Sequence, residues 1–118
     1  MRNELILLLE KHCGTIRAEA EQIDVCMQHL GADSNDEQMQ RAIYLVHKIK
    51  GGSGALGFMP LSDAANRLEY ALRDLDTQAD RDAGIADIRQ LSAHFQQEVR
   101  LLDPATSALH QSEAMNGS

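Results

Sequence analysis

The sequence predicts an all-α protein, an antiparallel up-and-down four-helix bundle, on three observations. Apolar residues recur at three- and four-residue spacing through four successive stretches, and no strand-like alternation competes with them. Short polar, glycine-bearing or proline-bearing connections separate the stretches, as neighbouring antiparallel helices require. Hydrophobic residues make up 43% of the chain but aromatics only 3%, so the core must be built from Leu, Ile, Ala and Met, which suits helices better than a sandwich. At 118 residues the chain has room for one core and not for two docked units.

The first helix is expected from about Glu4 to Leu30, with Leu5, Leu8, Leu9, His12, Ile16, Ala20, Ile23, Met27 and Leu30 along one stripe. Gly14 interrupts it, either as a tolerated cost or as the joint after a short extra N-terminal helix. His12, on or near the apolar face, reads as a satisfied or partly buried histidine, and Cys13 and Cys26 as small core fillers. Gly31 is the expected C-cap. Ser34 with Glu37 three residues on is a capping-box pattern that opens a second helix running to about Gly57, and Asp36 and Glu37 complement its dipole.

Phe58 and Met59 lead to Pro60, placed for the first turn of a third helix. Its core face is Leu61, Ala64, Ala65, Leu68, Ala71, Leu72 and Leu75, with the two small alanines permitting close packing against the second helix. Glu69 and Arg73 form an i,i+4 pair, read as a surface pair. The polar segment Asp76 to Gly84 is expected to turn, with Asp80 a candidate cap for the fourth helix. That helix points Ile85, Ile88, Leu91, Phe95, Val99 and Leu102 inward and leaves His94 at the boundary. Asp103-Pro104 stops it. The bundle is therefore expected over residues 1–103, and residues 104–118, with His110 among them, are expected to be a flexible tail.

The second helix carries the chemistry. In the run AIYLVHKIKGGSGALG, at about 100° per residue, Met39, Ala42, Leu45, Val46, Ile49, Ser53 and Leu56 share one face. His47 lies roughly opposite that face, with Gln40, Lys50, Gly51 and Gly54 on its side and Ile43 and Tyr44 at the flanks. The histidine points outward. Glycine inside a helix costs up to about 1 kcal/mol against alanine, yet Gly51 stands one turn after His47, where a side chain would crowd the imidazole. Lys50 puts a cation on the same edge. An exposed imidazole, a neighbouring cation able to balance phosphate or carboxylate charge, and a cleared surface suit nucleophilic chemistry on a partner's group. The plainer readings are a solvated surface histidine and glycines that mark helix crossings or a fraying end. These explain Gly57 well and Gly51 and Gly52 poorly, because Leu56 keeps the apolar phase beyond them.

His47, Lys50, Gly51 and Gly57 read as H-x-x-K-G-x-x-x-x-x-G, with Ser53 and Leu56 at further matching positions. This resembles the signature of histidine-containing phosphotransfer (HPt) domains, with Val46 where alanine is common and Ile49 where leucine is. The resemblance implies a stand-alone carrier in a two-component phosphorelay. His47 would accept a phosphoryl group from an aspartate on a receiver domain, such as that of a hybrid sensor kinase, and pass it to a response-regulator receiver. Lys50 would offset phosphate charge, and Gln40, Ile43, Tyr44, Lys48, Gly51 and Gly54 would dock the partner. The family needs no intrinsic cofactor, Mg²⁺ being supplied by the receiver. A kinase's ATP-binding domain is an alternative source of the phosphate.

The rest of the composition narrows the field. A net charge of −7 without a basic stripe argues against nucleic acid. The longest apolar run, Leu5 to Leu9, is too short to span a membrane. With no secretory signal and only two cysteines, neither in a C-x-x-C pair, a cytoplasmic monomer with reduced thiols is expected. No glycine-rich nucleotide loop follows a strand, so the chain is not expected to phosphorylate itself. Two rivals stand beside the carrier: a helical adaptor that docks receiver or kinase domains without carrying phosphate, and a metal-binding bundle. The latter would need inward E-x-x-H pairs that the sequence lacks.

Overall fold

The computed structural model describes residues 2–30, 36–77 and 82–110. Over these the chain forms α1 (Arg2–Gln28), α2 (Asp36–Ala55), α3 (Met59–Asp76), α4 (Asp82–Arg100) and a 3₁₀ turn at Pro104–Thr106, with no strand among the described residues. Cross-helix bonds fix the directions. Glu19 and Gln22 of α1 meet Lys48 and Arg41 of α2. Gln40 and His47 of α2 meet Asp76 and Glu69 of α3. Ala20 and Arg17 of α1 meet Gln96 of α4 and the carbonyl of Leu102 just beyond it. In each pair, rising numbers on one helix meet falling numbers on the other, which is the antiparallel bundle the sequence predicts.

The expected apolar stripes converge, save that Leu8 of α1 is 50% exposed. Leu9, Ile16 and Ile23 of α1, Met39, Val46 and Ile49 of α2, Leu61, Leu68 and Leu72 of α3, and Ile88 and Phe95 of α4 are all fully buried. Burying each such side chain contributes on the order of 1.5–3 kcal/mol. That outweighs the propensity cost of Gly51, Gly52 and Gly54 inside α2. Cys13 and Cys26 are free thiols in the core, and burial pushes both above the ordinary thiol value, so neither is poised to react.

Several boundaries differ from expectation. α1 is unbroken through Gly14, whose missing side chain faces open space, so the glycine is a tolerated cost and the described residues hold no separate N-terminal helix. The short extra helix lies instead after α4. α4 begins at Asp82, so Gly84 sits in its first turn and not in the preceding connection. The expected caps Gly31, Ser34 and Asp80 lie outside the described residues.

The expected tail is packed as far as it is described. Ser107 is fully buried. Its hydroxyl donates to the Leu56 carbonyl at 2.6 Å and accepts from the backbone N–H of Leu109 at 3.1 Å. The Ala108 N–H donates to the Gly57 carbonyl at 2.9 Å. Asp103 caps the 3₁₀ turn by accepting from the Ala105 N–H. Residues 104–110 therefore belong to the bundle, held by backbone groups that no apolar period announces. Residues 111–118 lie outside the described part.

Candidate functional site

α2 closes as a Schellman motif. Gly57 has φ +84°, and the Phe58 N–H donates to the Ser53 carbonyl at 2.8 Å. α3 starts directly after it with Pro60 in its first turn, so the two helices form a tight hairpin. His47 and Glu69 stand equally far along the chain on either side of Phe58, and the hairpin brings them together.

The imidazole of His47 has its side chain 58% exposed and its Nδ1 2.9 Å from Glu69 Oε2. Lys50 Nζ lies 2.9 Å from Glu69 Oε1, and Arg73 Nε donates to Oε2 at 2.8 Å. Glu69 itself is only 5% exposed. Burial alone would raise its pKa. The Lys50 ion pair and the hydrogen bonds from Arg73 and His47 outweigh that and hold the carboxyl at about 2. An ionised carboxylate only accepts hydrogen bonds, so Nδ1 must carry the ring's proton. The lone pair is then left on Nε2, the nitrogen away from Glu69. A histidine fixed in this way presents a nucleophile to solvent.

Around this centre the expected residues divide. Gly51 is exposed, and nothing lies within 4 Å of where its Cβ would be, so the surface one turn beyond His47 is clear. Tyr44 is 61% exposed. Lys48 is exposed and paired with Glu19 of α1 at 2.8 Å, and Gln40 is exposed and donates to Asp76 at 2.8 Å.

Two expected docking residues are corrected. Ile43 is 4% exposed and part of the core, because α3 packs on that flank of α2 and leaves it nothing to offer a partner. Gly54 faces α3, where a Cβ would come within 3.1 Å of Ser62 Oγ, the same hydroxyl that donates to the Lys50 carbonyl. Its smallness serves the helix contact.

Gly52 acquires a reason of its own. A Cβ there would lie 2.9 Å from His12 Cε1, so the glycine admits the His12 ring, which stacks on Phe58 with centroids 5.9 Å apart. His12 is partly buried as expected, though its Nε2 has no hydrogen-bond partner among the described residues. Burial lowers its pKa, against a smaller opposing pull from the Glu19 charge.

Glu69 is the residue that sequence reasoning missed. Its i,i+4 pair with Arg73 does form, but the pair is no ordinary surface pair, since Glu69 is buried against α2. A signal was present: Glu69 adjoins the core position Leu68 on the edge of the apolar stripe, and an antiparallel hairpin centred on Phe58 puts it opposite His47. Among the described residues no three His, Cys, Asp or Glu side chains converge as a metal site would require. No helix there is long and apolar enough to cross a membrane.

Comparison with curated proteins finds no match, and comparison with solved structures finds none either. The family model described as Hpt domain matches residues 9–104, which includes the whole of the α2–α3 hairpin with His47, Lys50, Glu69 and Arg73. The chain belongs to the Hpt domain family, whose members interact with receiver domains and carry out phosphotransfer in two-component signalling.

Proposed function

We propose that His47 is the phosphocarrier of this domain, taking a phosphoryl group from a receiver-domain aspartate and passing it to the receiver of a response regulator. The observation that carries the reading is the Glu69 hydrogen bond to Nδ1, on a ring that stays 58% exposed beside Lys50 and the clear surface over Gly51. In the accepting step the Nε2 lone pair attacks the aspartyl phosphorus, a P–N bond forms, and the P–O bond breaks with its electron pair leaving on the carboxylate. The proton stays on Nδ1, so the ring becomes cationic, and Glu69 stabilises that charge through the hydrogen bond it already makes. The reverse step returns the group to the next carboxylate. Lys50 offsets charge on the phosphoryl oxygens in transit. In this scheme the Mg²⁺ and its acidic ligands belong to the receiver, and Gln40, Tyr44, Lys48 and Gly51 form the surface on which it docks.

The test is His47→Gln. Wild-type protein incubated with phosphorylated receiver domains should acquire an acid-labile, base-stable phosphoryl group. The variant should acquire none while keeping its helical circular dichroism. Label appearing on His12, His29 or His94 of the variant would overturn the assignment.

A further inference from the structure

Glu69 holds one negative charge and faces two positive ones, Lys50 and Arg73. Lys50 alone would be cancelled by the carboxylate, leaving no net positive charge to meet a phosphoryl dianion. Arg73 is the surplus. The charge balance of the product makes the same point. A phosphoryl group with two negative charges on a cationic ring, together with Glu69, Lys50 and Arg73, sums to zero. Without Arg73 the site is left with one net negative charge.

The geometry agrees with the charge count. Arg73 Nε and His47 Nδ1 donate to the same oxygen of Glu69, at 2.8 and 2.9 Å, so guanidinium and imidazole are moored side by side. Arg73 comes from α3 and Lys50 from α2, so the two cations reach the ring from different helices. The arginine side chain is 55% exposed, and its two Nη amines have no hydrogen-bond partner among the described residues. Guanidinium carries five N–H donors in a planar fork suited to phosphate oxygens, and the Glu69 contact through Nε uses one.

We propose that Arg73 is the second phosphoryl-binding residue of this domain, engaging the oxygens of the group on His47 Nε2 through its Nη amines while Nε stays on Glu69. The inference rests on the reading of His47 as the phosphoacceptor and extends it to a residue of the neighbouring helix.

A small-molecule donor tests this without a partner protein. Potassium phosphoramidate transfers its phosphoryl group to imidazole with ammonia leaving, and ³¹P NMR follows the phosphohistidine. Arg73→Gln should fold, as the side chain is half in solvent. Its His47 phosphorylation should slow roughly 3- to 10-fold, the range for losing one partly exposed charged hydrogen bond. Arg73→Lys should recover much of the rate, and the difference from wild type should shrink at high salt. The ¹⁵N shifts of unphosphorylated His47 should show the same Nδ1–H tautomer in Arg73→Gln as in wild type, since Glu69 remains. A wild-type rate in Arg73→Gln overturns the proposal. So does a lost tautomer that Arg73→Lys fails to restore, which would make the arginine a positioning residue acting through Glu69. Wild-type protein that takes no phosphate on His47, judged against His47→Gln, overturns the underlying reading as well.

Discussion

Replacing Glu69 by glutamine keeps the size of the side chain and one acceptor oxygen but removes the charge that three donors share. The folded pKa of about 2, against an ordinary 4.5, means that the native state favours the ionised form. At about 1.4 kcal/mol per unit, this sets a ceiling of about 3.5 kcal/mol. His47 and Arg73 are 58% and 55% exposed, and solvent screening of these two donors brings the contribution to about 2 kcal/mol. The folded pKa is depressed, so this stability is fully present above the unfolded value of about 4.5 and is lost as the pH falls towards 2. Urea unfolding of wild type and Glu69→Gln across pH 7 to 3 measures it, and the difference between the two proteins removes the titration of every other carboxylate. The variant should be less stable by about 2 kcal/mol at pH 7, a fall in Tm of roughly 10 °C. The gap should narrow below pH 4.5 and be under half its neutral value by about pH 3. No gap at pH 7, or a gap that does not change with pH, would refute the argument that the ionised carboxylate is held by its three partners.

Two further substitutions probe the surface and the end of α2. Gly51→Ala should stabilise the domain by about 0.5–1 kcal/mol, because the position is helical and open. Gly51→Gln should also fold but slow transfer from a phosphorylated receiver by tenfold or more, since a displacement of about 1 Å can cost 100-fold in a proximity-dependent step. A stable Gly51→Gln that transfers normally would show that the receiver does not approach over this turn, and one that unfolds would show that the glycine serves packing. Ser107→Ala should cost about 1–2 kcal/mol, because it leaves the Leu56 carbonyl and the Leu109 N–H without their buried partner. Amide exchange at the end of α2 should quicken with it. A variant that melts like wild type would show that residues 104–110 do not hold that end closed.

Most of the residues that face the core are legible in the apolar period alone. Apolar period and burial are two views of one constraint, and Val46, Leu68 and Phe95 had no other place to go. The sequence also placed His47 and Gly51 on the outer face of α2, since a single helix fixes the angles between its own residues. What it left open depends on the distance between helices. Ile43 flanks the exposed face on a wheel, but α3 packs over that flank, and a wheel contains no neighbour. Gly52 and Gly54 resemble Gly51 in the sequence, yet one admits His12 from α1 and another Ser62 from α3. Only the register of those helices tells the three glycines apart. Ser107 carries no hydrophobic period, because the Gly57 carbonyl and the end of α2 hold its segment through backbone and hydroxyl bonds. Glu69 shows the limit most plainly. Read along α3 it is one half of an i,i+4 surface pair. Folded against α2, the same carboxylate is buried, ionised and bonded to the histidine, because three donors from two helices converge on it and together offset the cost of taking its charge out of water.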